Sequence, residues 1–95
     1  MTESQIQKQI IDYLKSLGAL VFRMNSGNAK HNVKLAPSGT PDLLVVLRTQ
    51  TVWIEVKTET GTLRDSQRFM IKELEARGQR VIIARCLDDV IEEIK

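Results

Sequence analysis

Three charged residues stand within or beside apolar, strand-like segments: Asp42 at the head of Asp42 to Leu47, and Glu55 and Lys57 inside Val52 to Lys57. Strand side chains alternate, so Glu55 and Lys57 share a face with Trp53 while Val52, Ile54 and Val56 point the other way. The intervening Arg48-Thr49-Gln50-Thr51 is short enough only for an antiparallel hairpin. A turn centred on Thr49-Gln50 sets Leu47 opposite Val52 and Asp42 opposite Lys57, which makes Asp42 a diagonal neighbour of Glu55. Opposite Cβ atoms lie about 4.5–5.5 Å apart and diagonal ones about 7–8 Å, within reach of one shared cation. Magnesium suits two carboxylates, because it takes oxygen ligands, keeps several waters and binds phosphate oxygens. Such an ion orients and activates water against a phosphodiester, and Lys57 is placed to position that water or to stabilise the charged phosphorus. A one-residue slip of register would move Asp42 to the other face and dissolve the site. Singly, each residue has an ordinary reading: Asp42 as a turn residue, Glu55 and Lys57 as an ion pair on an edge strand.

The elements that must position these residues follow from periodicity. Ile6, Ile10, Tyr13, Leu14 and Leu17 mark a helix over residues 3–17, stopped by Gly18. Ala19 to Met24 reads as a strand and Asn25 to Pro41 as a long loop, with a short extended piece at Val33-Lys34-Leu35. Leu63, Gln67, Met70, Ile71 and Leu74 mark a second helix that ends at Gly78, with Asp65 or Ser66 as its cap. Arg80 to Arg85 reads as a buried strand, and Leu87 to Ile94 as a final helix with Asp88 and Asp89 in its first turn, where the helix dipole favours anions. Tyr13 and Phe69 are expected in the core. The order is α-β-β-β-α-β-α, and a right-handed crossover makes the last two strands parallel in a mixed sheet flanked by helices.

Pro41-Asp42 followed by Glu55-Val56-Lys57 resembles the signature of the PD-(D/E)XK nuclease superfamily. More closely, Gly39-Thr40-Pro41-Asp42-Leu43-Leu44, the Glu55-Val56-Lys57 strand and the segment from Thr58 to Gln67 resemble the VRR-NUC family. The resemblance implies a restriction-endonuclease-like α/β core and metal-dependent hydrolysis of DNA that leaves a 5′-phosphate and a 3′-hydroxyl. It implies Asp42 and Glu55 as ligands of Mg²⁺ or Mn²⁺, the Val56 carbonyl as a further ligand and Lys57 as the catalytic lysine. Glu3 and Gln67 match accessory positions, Glu3 as an extra metal ligand. Helical spacing independently puts Glu3 beside the apolar stripe of its helix and Gln67 on the apolar face of the second. Stand-alone members of the family resemble junction-resolving enzymes, which implies a homodimer acting on Holliday junctions, since two symmetric cuts suit a twofold pair of sites.

The chain has 14 Lys and Arg against 12 Asp and Glu, for a net charge of +2. Its distribution is more telling. Residues 21–41 contain Arg23, Lys30, Lys34 and His31 and no acid, and they lead straight into Asp42. Arg64, Arg68 and Lys72 recur every four residues on the second helix. Lys30, His31, Lys34, Arg64 and Arg68 are therefore the expected phosphate contacts, salt-dependent and indifferent to sequence. Aromatic residues are too few for a single-strand stacking platform. Ninety-five residues make one domain over 1–95, and no apolar run approaches the roughly 20 residues of a membrane helix. The first residues lack a secretory pattern, which gives a cytoplasmic expectation. Cys86 has no partner cysteine and reads as a small packed residue. Two other functions compete with a junction nuclease: a nuclease subunit of a restriction or mobile-element system, and a non-catalytic DNA-binding module.

Overall fold

A computed structural model describes residues 1–25 and 36–94. The elements are α1 (Glu3–Ser16), β1 (Leu20–Arg23), β2 (Leu43–Val46), β3 (Thr51–Val56), α2 (Asp65–Ala76), β4 (Arg80–Ala84) and α3 (Leu87–Ile94). The strands form one sheet in the order β1-β2-β3-β4, antiparallel across the first two pairs and parallel across the last. This is the expected mixed sheet, with α2 as the crossover between the parallel strands.

Local chemistry sets the helix limits. Thr2 Oγ1 accepts from the Gln5 N–H at 3.2 Å, and Gln5 Oε1 accepts from the Thr2 N–H at 2.8 Å. This reciprocal pair satisfies two donors at the start of α1. At its end Gly18 adopts φ +82, and the Gly18 and Ala19 N–H groups return to the Lys15 and Leu14 carbonyls. That left-handed stop turns the chain directly into β1.

The core lies on one sheet face. Ile6, Ile10, Ile11 and Leu14 of α1 and Val90 of α3 pack with Leu43, Val45, Val52, Ile54, Val56, Ile82 and Ala84. On the opposite face α2 buries Gln67 and Ile71, while Leu20, Phe22 and Ile83 remain exposed. Among the described residues, no helix is long and apolar enough to cross a membrane.

Several expectations are corrected. The hairpin turns one residue earlier than Thr49-Gln50, about Arg48-Thr49: the Leu47 N–H reaches the Gln50 carbonyl at 2.8 Å, and Val45 pairs with Val52. The register is therefore offset by two residues, which keeps every side chain on its predicted face. Arg64, not Asp65 or Ser66, is the N-cap of α2. Phe69 is 64% exposed, because it lies two residues, about 200° of helix, from the Gln67 side that meets the sheet. Tyr13 packs against the core as expected. Leu17 is exposed at the α1 cap, and Cys86 is exposed because β4 ends at Ala84 and leaves it in the turn before α3. The Val33 to Leu35 piece lies outside the described residues.

Candidate active site

The hairpin register fixes the centre of the site. Leu43 pairs with Ile54, so the next pair toward the open end is Asp42 with Glu55. The two carboxylates stand directly across from one another rather than diagonally, and Lys57 follows two residues later on the same face. Glu55 is 1% exposed and Lys57 8%. Asp42 is held from two sides: its Oδ2 accepts the Val56 N–H at 2.8 Å, and its Oδ1 faces the Asn25 amide at 3.4 Å. Asn25 also donates to the Thr40 carbonyl at 2.8 Å, which ties the exit of β1 to the entry of β2.

Pro41 has a specific consequence here. Continuing the β2–β3 register places Pro41 opposite Val56, in a position where two residues ordinarily exchange both backbone hydrogen bonds. Proline has no N–H, so it offers no ladder donor to the Val56 carbonyl. The Val56 N–H, meanwhile, is engaged by Asp42. A residue's N–H and C=O in an extended strand point toward the same neighbour, which directs that carbonyl to the Asp42 side of β3.

A cavity of about 540 Å³ opens over this pair, lined by Glu3, Asp42, Glu55, Lys57, Arg64 and Gln67 among others. Gln67, 5% exposed, has its Oε1 on the Arg64 N–H at 2.8 Å, so it closes the first turn of α2 as well as lining the cavity. The loop before Asp42 sits against this turn: a Cβ on Gly39, which has φ +88, would lie 2.2 Å from the Ser66 carbonyl oxygen. Only glycine permits both that backbone angle and that approach. On the other side, Arg85 Nη1 donates to the Thr58, Glu59 and Gly61 carbonyls and pins the turn that follows Lys57.

The Glu55 carboxyl is pushed up to about 9, first by burial, then by the hydrogen-bonding and charge of Asp42, with Lys57 opposing and Glu3 adding slightly. Its Oε1 is buried without a hydrogen-bond partner among the described residues. Native proteins rarely leave such an oxygen unpaired, and a cation between the carboxylates would satisfy it and lower its proton affinity. The oxygen donors present, two carboxylates and a carbonyl without a proline donor, fit a small hard divalent ion with waters in its other positions. Among the described residues, no group of three or more His, Cys, Asp or Glu side chains is arranged to hold a metal. Glu3 lines the cavity without joining such a group.

A VRR-NUC domain model matches residues 21–87. The chain belongs to the VRR-NUC family. A solved structure described as a VRR_NUC domain superposes with a TM-score of 0.77 at 26% identity, covering 99% of this chain and 96% of the other. A second, described as a VRR_NUC domain protein, has a TM-score of 0.73 at 22% identity over 99% and 85% of the two chains, and shares the fold. No curated protein matches the chain. Membership makes this a nuclease-type domain that acts on DNA.

In this VRR-NUC domain the residues proposed from sequence divide clearly. Asp42, Glu55, Lys57, Gln67, Glu3 and Arg64 line one cavity, and Val56 adjoins it through its backbone. Arg68 is not among the lining residues and pairs with Asp65 at 2.9 Å on the surface. Lys30, His31 and Lys34 lie outside the described residues. Asn25 was missed, because its tie to Asp42 depends on β1 pairing with β2, in which the Met24 N–H meets the Asp42 carbonyl at 2.8 Å. The signal available was its place immediately beyond a strand that must end beside Asp42.

Proposed function

We propose that this VRR-NUC domain is a Mg²⁺- or Mn²⁺-dependent DNA endonuclease of the PD-(D/E)XK type that selects branched DNA and resolves four-way junctions as a homodimer. The observation that carries the reading is the direct opposition of Asp42 and Glu55, with Lys57 on the same buried face of one cavity. Asp42 and Glu55, with the Val56 carbonyl, would hold the ion. When bound, the ion supplies Lewis-acid polarisation of the phosphate and a more acidic water.

The chain's own residues do the rest. Asp42 is kept in one orientation by the Val56 N–H, and Asn25 supports its other oxygen. The Lys57 ammonium donates toward the attacking water or a non-bridging phosphate oxygen, where negative charge develops. Gln67, fixed by its bond from the Arg64 N–H, lines the same cavity as the carboxylates, and Arg64 adds a cation there. Junction selectivity and dimerisation rest on the two symmetric cuts that a four-way junction needs.

A gel assay of four-way, flap, single-stranded and linear duplex DNA, with and without Mg²⁺ or Mn²⁺, tests the proposal. Cutting that requires metal and favours the four-way substrate is expected. Equal cutting of all four overturns the selectivity, and no metal-dependent cutting of any overturns the nuclease reading. Lys57→Ala is expected to keep fold and DNA affinity while cutting is lost, as judged by circular dichroism, anisotropy and gel. Retained cutting removes Lys57 from the chemistry.

A further inference from the structure

A second cavity, about 290 Å³, lies beside the first and is lined by Gln7, Arg23, Asn25 and Asp42. Asn25 and Asp42 line both, so they form the wall between them. Gln7 lies one helical turn beyond Glu3 on α1, and Glu3 faces the first cavity while Gln7 faces the second. Arg23 closes β1 opposite Leu43, one residue from Asp42 in the paired strand. Its Nη2 donates to Gln7 Oε1 at 3.3 Å. α1 and the end of β1 thus build a polar cleft immediately alongside the carboxylate pair.

We infer that the Gln7–Arg23 cleft is a phosphodiester subsite, which receives the phosphate next to the scissile one and threads the strand past the wall formed by Asp42 and Asn25. The inference rests on the proposed metal site at Asp42 and Glu55, since that site places the scissile phosphate. Three observations support it. The first cavity sets Glu3, Asp42 and Glu55 against Lys57 and Arg64, so its cations are matched by acid and a polyanionic strand gains from a further cation at its flank. Among the described residues, Asp42 is the one acid lining the second cavity, and Arg23 lines it as a cation. The Gln7 amide, with its oxygen toward Arg23, carries N–H donors suited to phosphate oxygens, while the Asn25 amide is engaged with the Thr40 carbonyl and Asp42 and fixes the wall. Arginine and amide donors of this kind fix a strand's register without reading its bases.

The test measures binding of a labelled four-way junction by fluorescence anisotropy in EDTA from 50 to 200 mM KCl, using the full chain and the Arg23→Ala, Arg23→Lys and Gln7→Ala variants. A single lost phosphate contact lowers the slope of log affinity against log salt by about 0.9, so the advantage of wild type over Arg23→Ala shrinks about 3-fold across that range. Arg23→Lys is expected to keep the wild-type slope. Gln7→Ala, which removes a neutral donor, is expected to weaken binding with little change in slope. An unchanged slope in Arg23→Ala, or a loss confined to certain base sequences, overturns the subsite. A wild-type cutting assay in Mg²⁺ on the same junction reports separately on the metal-nuclease reading, so failure of one is distinguishable from failure of the other.

Discussion

Replacing Glu55 with glutamine should stabilise the metal-free protein, and increasingly so as pH rises. Glu55 is 1% exposed with its carboxyl pushed up to about 9, whereas in the unfolded chain it titrates near 4.5. Between those values the native state keeps a proton that the unfolded state has released. Unfolding stability therefore falls as pH increases, fully present below about 4.5 and exhausted above about 9. The slope from this one group is about 1.4 kcal/mol per pH unit, or about 3 kcal/mol between pH 5.5 and 7.5. Water entering the cavity above the pair makes that a ceiling without altering its sign. The glutamine side chain would fill the same volume with nothing to ionise, so the gap in stability between Glu55→Gln and wild type should widen by up to that amount while other titrations cancel. Urea unfolding in EDTA at pH 5.5, 6.5 and 7.5, followed by far-ultraviolet circular dichroism and Trp53 fluorescence, measures it. A gap that stays constant with pH would refute the reasoning, because Glu55 would then titrate alike in both states. Mn²⁺ at pH 7.5 should raise the stability of the wild type and have little effect on the variant, since an ion held at this site displaces the proton that Glu55 otherwise keeps.

Gly39→Ala should destabilise the fold by about 2–5 kcal/mol, combining the cost of a left-handed L-residue with overpacking against the Ser66 carbonyl. Thermal and urea unfolding measure this, and wild-type stability in the variant would show that the loop does not need this approach to α2. Pro41→Ala restores an N–H opposite Val56 and should draw its carbonyl back into the ladder, weakening Mn²⁺ binding about tenfold while overall stability shifts by less than about 1 kcal/mol. Calorimetric titration of Mn²⁺ decides it: unchanged affinity would exclude the Val56 carbonyl as a ligand.

The faces of the central hairpin were legible in the sequence because a strand's period of two is insensitive to turn length. Val52, Ile54 and Val56 had to share one side and Trp53, Glu55 and Lys57 the other, and they do so whether the turn centres on Thr49-Gln50 or on Arg48-Thr49. The pairing across the hairpin was not legible for the same reason. Arg48-Thr49-Gln50-Thr51 contains no glycine, asparagine or proline to fix the turn, and a two-residue offset leaves the hydrophobic pattern unchanged. That offset turns Asp42 and Glu55 from diagonal neighbours into direct partners, and so it decides how tightly the two carboxylates can share one charge or one ion.

Contacts between elements distant in sequence were hidden more deeply. Gln67 was recognisable as a polar residue on an apolar helix face, but its partner, the Arg64 N–H, is a backbone group that no residue pattern advertises. Asn25 belongs to a polar stretch that reads as loop, and acquires its role only when the register of β1 against β2 brings it to Asp42. Pro41 is the instructive intermediate case. Its missing N–H is visible in the sequence itself, yet that absence becomes chemistry only once Val56 is known to stand opposite. A residue that breaks strand pairing is normally a defect in a sheet interior. Here it stands where the ladder gives way to the site, and what it withholds from the sheet is an oxygen turned toward the carboxylates.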